Sequence, residues 1–494
     1  MVAPAFQLTR ARLAFLALGL VAFAVIAMVD SPLQHYDDYG SRPALAAAVT
    51  ALMLVWWLSE ALPIHATACV PFVAYPFLGV FGGEIGDDAR RAAQPYVHPY
   101  VFLFMGGMCI AAAMQQWGLH RRVALTIMHA IGTQPARLLF GVLAATAFVS
   151  LWISNTATAT MMLPIALALI AQLESRIGGR RLEHYGSSIM LAIAYGANVG
   201  GIGTKIGSPP NATFAGFMSQ RGTDISFVEY MVVGLPFVLM FLPVVWWVLW
   251  QAGRRDAPEG DVGRDAVREE LASLGRVRPG EWIVLVVFFV AAGLWIAAQP
   301  VTASVRSRLT TVTIGSAHVE ATIAMSAALV LLIWRVRGRA TLELASLRTV
   351  SWGTLVFLGG SFSMAAGIEA SGLSSWLATQ LTGVRELAPF AQVLIASFAT
   401  VALSAFASNI ATIAVMLNVL VSSVSPSNLD ASLFAATIAA SCDFALPVGT
   451  PPNAIVFGSG YVRIPRMARI GAMLDVAAAL LAAAWCYVVV GWIS

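Results

Sequence analysis

An apolar segment from about residue 138 to 174 is interrupted near its middle by Ser154-Asn155-Thr156-Ala157-Thr158. A second apolar segment, from about 388 to 424, is interrupted in the same way by Ser408-Asn409-Ile410-Ala411-Thr412. Polar side chains inside such segments are tolerated only where they line protein or water, and they are functional candidates. The duplication predicts that the chain has two related halves whose tips face each other at a site between them.

The repeat extends beyond these two stretches. Gly207-Ser208-Pro209-Pro210-Asn211 matches Gly449-Thr450-Pro451-Pro452-Asn453, and Phe104-Met105-Gly106-Gly107 matches Phe357-Leu358-Gly359-Gly360. Any one match alone is weak, because Ser-Asn-x-Ala-Thr could serve helix packing and Pro-Pro could be a simple kink. Because the matches recur in the same order, we interpret them as an internal repeat with functional breaks.

The composition places these segments in a membrane. Of the 494 residues, 59% are apolar and 11% are charged, against about 25% charged residues in soluble domains. The mean hydropathy of +0.79 excludes both a soluble enzyme with one core and a disordered chain. The net charge of +4 comes from arginines in short loops, so it does not indicate a nucleic-acid partner. The four cysteines lie singly, which predicts neither a disulfide framework nor a metal cluster.

Loop charges predict the topology. Arg10 and Arg12 precede the first span, which places the N-terminus in the cytoplasm. The hairpin at 138–174 has basic flanks and is predicted to enter from the cytoplasm, whereas the hairpin at 388–424 is predicted to enter from outside. We therefore predict an all-α membrane protein with eleven spans and two re-entrant hairpins in two inverted repeats.

The predicted boundaries follow from the apolar runs. The first repeat, 1–252, comprises scaffold spans to about 117, the hairpin 138–174, a broken helix 187–220 and a span 227–251. A hydrophilic cytoplasmic linker covers 253–279. The second repeat, 280–494, comprises spans within 281–370, the hairpin 388–424, a broken helix 430–460 and a last span 470–491.

The interruptions suggest a chemistry. A helix that begins at Ser154-Asn155, or at Ser408-Asn409, has free N–H groups and a positive dipole end, which together favour an anion such as a carboxylate. Pro209 and Pro451 end the preceding half-helices and leave carbonyls near Gly207 and Gly449 without helical partners. Carbonyl, hydroxyl and amide oxygens form a hard shell that suits sodium, although ligand type alone leaves potassium, magnesium and calcium open.

Lys205 is the only lysine in the chain and lies in the first Pro-Pro break. An ammonium at this depth needs a partner. It could bind substrate, replace a cation, or pair with Asp443 in the other break; the alternative is a solvated lysine at the end of a half-helix.

These motifs resemble those of the divalent anion/sodium symporter family, the sodium-dependent dicarboxylate, citrate and sulfate carriers. The resemblance covers nearly the whole chain, and it implies a homodimer with a scaffold domain and a mobile transport domain that moves as an elevator. It implies cation ligands at Ser150, Ser154, Asn155 and Gly207, and at Ser404, Ala407, Asn409 and Gly449. With the two tips and breaks, the candidate substrate-binding residues are Ser154, Asn155, Thr156, Lys205, Ser208, Pro209, Ser408, Asn409, Thr450 and Pro451.

The chain departs from the family pattern at three positions. Ile410 stands where the family usually has a threonine, which removes one carboxylate-binding hydroxyl. Lys205 and Asp443 stand where uncharged residues are expected.

The sequence thus predicts a secondary active transporter of di- or tricarboxylates in the cytoplasmic membrane, with Na⁺ as the transported coupling ion. A sodium-independent exchanger and a carrier of an oxyanion such as sulfate are the alternatives. A membrane-embedded enzyme is less favoured, because the sequence has no His-Glu-x-x-His or Gly-x-Ser-x-Gly motif. A channel is also less favoured, because repeated broken helices suit alternating access.

Overall fold

The computed structural model describes residues 8–260, 264–308 and 315–493. These residues are almost entirely helical. The one sheet among them is a short antiparallel hairpin of β1 (Arg335–Val336) and β2 (Arg339–Ala340). The fold is therefore all-α, as the composition and periodicity predict.

The described chain contains fifteen helices before the β-hairpin, of which α14 and α15 fall within the predicted second repeat. In order, they are α1 Arg10–Met28, α2 Arg42–Leu58, α3 Ile64–Thr67, α4 Val70–Leu78, α5 Ile85–Ala93, α6 Pro99–Trp117, α7 Leu119–Ile131, α8 Pro135–Ser150, α9 Asn155–Arg176, α10 Glu183–Gly201, α11 Pro209–Gln220, α12 Phe227–Gly253, α13 Arg264–Ser273, α14 Pro279–Arg308 and α15 Ser316–Ile333.

The remaining helices follow the β-hairpin. In order, they are α16 Trp352–Ala370, α17 Leu373–Gln380, α18 Thr382–Arg385, α19 Pro389–Ser404, α20 Asn409–Ser423, α21 Leu429–Ala440, α22 Pro451–Phe457 and α23 Ile464–Ile493. Short 3₁₀ turns cover Pro32–His35, Asp37–Tyr39, Gln94–Val97, Leu344–Thr349 and Pro426–Asn428.

Eight helical segments of the described chain are long and apolar enough to cross a membrane. Five further apolar helices, including α8, α19 and α20, are shorter. The count of eleven spans stays a prediction. The predicted span 64–82 differs from the structure, where this region is divided into α3 and α4 and the second piece contains Pro76. A proline within a helix removes one hydrogen bond, so this segment is shorter than its hydropathy suggests.

The two interrupted apolar segments form matching helix–turn–helix units. Helix α8 ends at Ser150 and α9 begins at Asn155; α19 ends at Ser404 and α20 begins at Asn409. The connecting tips therefore have the same length in both halves. The side of the membrane from which each unit enters stays a prediction.

The two Pro-Pro motifs also act alike. Pro209 starts α11 after the break that follows α10, and Pro451 starts α22 after the break that follows α21. Proline is favoured at the first helical position, because its missing N–H would have no intrahelical partner there. The predicted broken helices at 187–220 and 430–460 therefore each consist of two half-helices.

The halves are interlocked by a crossed packing arrangement. Helix α11 of the first half packs against α20 and α21 of the second, and α22 of the second half packs against α9 and α10 of the first. Each half-helix that follows a break thus contacts the helix that follows the other half's tip. This exchange brings the two sets of motifs into one region of the protein.

Two further sequence features are explained by packing. A Cβ at Gly360 would collide with the backbone of Ala68, and one at Gly106 would collide with Ala324, so these glycines permit close helix approach. The predicted linker 253–279 contains α13, which packs on α7 and α9. Arg121 pairs with Glu270 of this helix, so the segment is docked rather than extended.

Candidate functional site

The first site is built around the tip between α8 and α9. The Ser150 hydroxyl donates to Asn155 Oδ1 at 2.9 Å and lies 2.7 Å from the carbonyl oxygen of Ala197. Gly201, at the end of α10, lies directly against the same amide, since a Cβ there would overlap Asn155 Oδ1. The tip and the break of this half therefore meet at the Asn155 side chain.

The first break is held open by Asn211. Its Nδ2 donates to the carbonyl oxygens of Gly201 and Thr204, each at 2.7 Å. A Cβ at Gly207 would lie 2.6 Å from the Gly201 oxygen and 3.0 Å from that of Ser150. Several backbone carbonyls thus converge beside Gly207. We call Ser150, Asn155, Gly201, Gly207 and Asn211 the first cradle.

The second half reproduces this arrangement. The Ser404 hydroxyl donates to Asn409 Oδ1 at 3.0 Å and contacts the Ala440 carbonyl oxygen at 2.9 Å. Asn453 Nδ2 donates to the carbonyl oxygens of Asp443 at 3.0 Å and Leu446 at 2.9 Å. The spacing within the tip, five residues, and those within the break, ten and seven residues, are the same as in the first half. The second cradle consists of the equivalent residues, Ser404, Asn409, Asp443, Gly449 and Asn453.

Asn198 joins the two cradles. It lies on α10 next to Ala197, whose carbonyl contacts Ser150 of the first cradle. Its Nδ2 lies 3.0 Å from Thr450 Oγ1 and 3.4 Å from the carbonyl oxygen of Asp443. A polar connection therefore runs from the first tip to the second break through the buried end of α10.

Three of the four motif helices begin at a serine whose hydroxyl makes no capping bond. These N-cap residues are Ser154 of α9, Ser208 of α11 and Ser408 of α20. The free first-turn N–H groups of α9 and α20, together with the positive dipole end of each helix, suit an anion. Helix α11 begins with Pro209 and Pro210, which have no N–H, so it offers an anion only its dipole end and the Ser208 side chain. Thr450 differs, because its hydroxyl accepts from the Asn453 N–H at 3.4 Å and so caps α22.

The candidate residues differ in how far they are exposed to solvent. The buried ones, which are mostly proposed cation ligands, are Ser150, Lys205, Gly207, Ser208, Ser404, Ala407, Gly449 and Thr450. The half-buried ones are Ser154, Asn155, Pro209, Ser408 and Asn409, and the exposed ones are Thr156 and Pro451. The hydroxyl, amide and carbonyl oxygens of the cradles are the neutral donors that alkali cations take at broken helices.

Lys205 does not bond Asp443. Its Nζ lies 2.7 Å from Glu320 Oε2 of α15, and both side chains are completely buried. The second oxygen of Glu320 accepts from the Phe227 N–H at 2.7 Å, and Lys205 also faces the ring of Tyr100 at 5.0 Å. The ammonium is therefore neutralised by the protein itself. Asp443 was the wrong partner because sequence distance does not reveal which spans are neighbours.

The sequence analysis missed Glu320. The available signal was a single carboxylate near the start of an apolar span, at Ser316–Ile333, and such a residue is functional or paired by default.

The broken helices, paired tips and oxygen-lined cradles define a multi-pass membrane transporter. The comparison with protein families gives the same class: a family model described as the sodium:sulfate symporter transmembrane region matches residues 11–493. The chain belongs to this family. It is accordingly a transporter and not an enzyme.

Two bacterial relatives extend the comparison. The chain is 34% identical over 468 residues to the sodium-dependent dicarboxylate transporter SdcS of Staphylococcus saprophyticus, covering 92% of this chain and 87% of the relative. It is 32% identical over 476 residues to SdcS of Staphylococcus aureus strain USA300, covering 94% and 89%. Among solved structures, the YdaH transporter of Alcanivorax borkumensis matches with a TM-score of 0.54 and 17% identity over 97% of each chain, which supports the fold.

Proposed function

We propose that this protein carries small dicarboxylates across the bacterial cytoplasmic membrane, coupled to Na⁺. The observation that carries the proposal is that the same hydrogen bond occurs in both cradles. In each, a serine orients an asparagine amide beside a break that contains a glycine. The relatives named sodium-dependent dicarboxylate transporters support the choice of substrate and ion. A dicarboxylate has two separated negative charges, and these match the two duplicated tips.

The substrate's carboxylates would meet the starts of the motif helices. Helices α9 and α20 each present first-turn N–H groups that their N-cap serines leave available, whereas α11 begins with two prolines and offers only its dipole end and the Ser208 side chain. Negative charge at such ends is stabilised by the dipole and by direct hydrogen bonds. The side chains of Asn155, Thr156 and Asn409 lie beside these ends, and their partial exposure leaves them accessible to a ligand.

The coupling cations would lie deeper, in the cradles. Ser150, Ser154, Asn155 and the carbonyl of Gly207 are the proposed ligands of one ion. Ser404, Ala407, Asn409 and the carbonyl of Gly449 are those of the other. An ion in each cradle would fix the adjoining tip, and it would place positive charge beside the carboxylates. Ion binding and substrate binding would therefore favour one another.

We further propose that transport follows an elevator mechanism in a homodimer, with the N-terminus in the cytoplasm. The crossed packing of α11 and α22 supports movement of both cradles as one body, because neither break can move without the other half's tip. Mass measurement of the purified protein in detergent tests the dimer, and accessibility of single cysteines on opposite faces tests the movement.

Uptake into liposomes tests the function. We expect purified protein to accumulate labelled succinate when an inward Na⁺ gradient is imposed, and not when choline replaces Na⁺. Uptake that needs internal dicarboxylate and ignores Na⁺ would identify an exchanger. The absence of uptake of succinate, malate or citrate under every gradient would contradict the proposal.

A further inference from the structure

A buried carboxylate without a partner lies in the second break. Asp443 is completely shielded from solvent. Neither of its carboxylate oxygens has a hydrogen-bond partner among the residues that the structure describes. An isolated charge in the protein interior is strongly unfavourable unless a counter-charge or polar donors satisfy it.

The surrounding side chains do not supply that counter-charge. Lys205, the buried cation of the other break, is paired with Glu320. The adjacent buried carboxyl group, Asp475 of α23, accepts the Phe444 N–H at 2.8 Å and supplies no positive charge to Asp443. The unpartnered carboxylate of Asp443 therefore favours a positive ligand.

The carboxylate is placed at the second cradle. It packs against Gly449, where an added Cβ would overlap Asp443 Oδ2. The carbonyl of Gly449 is one of the proposed cation ligands. A glycine is required at position 449 because the carboxylate occupies the space of a side chain.

The first cradle has an uncharged residue at the position equivalent to Asp443. Gly201 and Asp443 are equivalent, because the carbonyl of each accepts the amide of the asparagine ten residues later. A Cβ at Gly201 would overlap Asn155 Oδ1. Gly201 is the last residue of α10, whereas Asp443 lies three residues beyond the end of α21, and its carboxylate lies against Gly449 of the second cradle.

We propose that Asp443 is a direct ligand of the cation in the second cradle, beside Ser404, Asn409 and the carbonyl of Gly449. The inference rests on the proposed Na⁺ coupling and deepens it. One carboxylate balances one monovalent cation, so the second cradle is a charged site for a hard monovalent ion. The first cradle has Gly201 at the same place and remains a neutral site.

The two ions therefore bind unequally. Coulomb attraction at ligand distance is substantial even when partly screened, so Na⁺ binds the second cradle more tightly than the first. At low Na⁺ concentration the second cradle fills first, and its ion removes the unpaired charge. A bound ion stabilises the folded protein by mass action, so the protein without Na⁺ is the less stable form.

Thermal melting across a Na⁺ titration tests this assignment. Purified full-length protein is melted in NaCl, with choline chloride holding the ionic strength constant. We expect Asp443→Asn to raise the NaCl concentration for half-maximal stabilisation by at least about tenfold. In choline alone, Asp443→Asn should melt no lower than the wild type, because the substitution removes no hydrogen bond that the carboxyl group makes in the described structure. A purely structural role would lower the melting temperature in both salts.

Asp475→Asn is the matched control. It changes a neighbouring buried aspartate whose bond to the Phe444 N–H an amide oxygen can retain, so its Na⁺ requirement should match the wild type. Asp443→Ala serves as a second variant if the asparagine variant does not fold. If the wild type responds to Na⁺ and both Asp443 variants respond identically, the assignment is wrong. If the wild type itself shows no response to Na⁺, the proposed sodium coupling fails instead.

Discussion

The two cradles have the same hydrogen-bond wiring but carry different charges. In each, a serine orients an asparagine amide and a second asparagine holds the break open. In the first break the charged residue is Lys205, whose charge is cancelled by Glu320; its equivalent in the second break is Pro447. In the second break the charged residue is Asp443, which has no partner in the described structure.

This difference separates charges that hold the protein together from charges available to a ligand. A buried pair with both members satisfied is a structural element, and breaking it leaves an uncompensated charge. A buried carboxylate without a partner favours the binding of a cation, which supplies the missing counter-charge. The hydrogen-bond pattern is shared, so the difference in charge between the two breaks comes from a few side chains.

The largest effect is expected from breaking the Lys205–Glu320 pair. Lys205→Met leaves Glu320 buried and unpaired, which should destabilise the protein by about 3–5 kcal/mol. Thermal melting in detergent measures the change. The double variant Lys205→Met/Glu320→Gln should recover much of the loss, because a glutamine oxygen can still accept the Phe227 N–H. Melting of Lys205→Met at the wild-type temperature would show that the pair is not structural.

The equivalence of the two cradles is tested by Ser150→Ala and Ser404→Ala. Each variant removes a hydroxyl that orients an asparagine amide and is itself a proposed cation ligand. A loss of about 1–2 kcal/mol corresponds to a rise of roughly 5- to 30-fold in the Na⁺ concentration for half-maximal uptake. Uptake in liposomes measures it. If only one of the two variants changed the Na⁺ concentration for half-maximal uptake, the two cradles would not be equivalent.

The two tips have different residues at equivalent positions, Thr156 and Ile410. Exchanging these two residue types tests whether a hydroxyl at this position contacts the substrate. Ile410→Thr should lower the KM for a dicarboxylate about fivefold, since a new hydroxyl contributes on the order of 1 kcal/mol. It should also cost stability, because Ile410 packs partly against a hydrophobic cluster formed mainly by α2, α4 and α16. Thr156→Ile is the converse control and should raise the KM. Unchanged KM values in both variants would place these side chains outside the substrate site.

The smallest effect is expected at the exposed pair Arg339–Glu343, which contrasts with the buried pair. Arg339→Ala should leave the melting temperature unchanged at neutral pH, because exposed ion pairs contribute little. The hydrogen bond from Arg339 lowers the pKa of Glu343. Any stabilisation is therefore present above the ordinary carboxyl pKa and lost as the pH falls through the lowered value. A melting-temperature difference between the two proteins at neutral pH that disappears as the pH falls would show a larger contribution.

Part of the candidate site could be predicted from the repeated motifs. The spacing of Ser150 to Asn155 recurs between Ser404 and Asn409, and the structure joins each pair by a hydrogen bond. Such contacts are local along the chain, so the sequence can predict them. The partner of Lys205 was not predictable, because Glu320 lies more than a hundred residues away and is brought close only by helix packing.

The amino-acid sequence by itself determined that the chain is a helical membrane protein with an internal repeat, broken helices and two polar tips. Hydropathy, proline positions and capping residues act locally, and each can be read without knowing the packing. Only the tertiary structure decided that each half-helix crosses to the other half's tip, that Lys205 is neutralised, and that Asp443 is not. Those outcomes depend on which side chains, far apart in sequence, are packed together in the low-dielectric interior, where an unpaired charge is unfavourable.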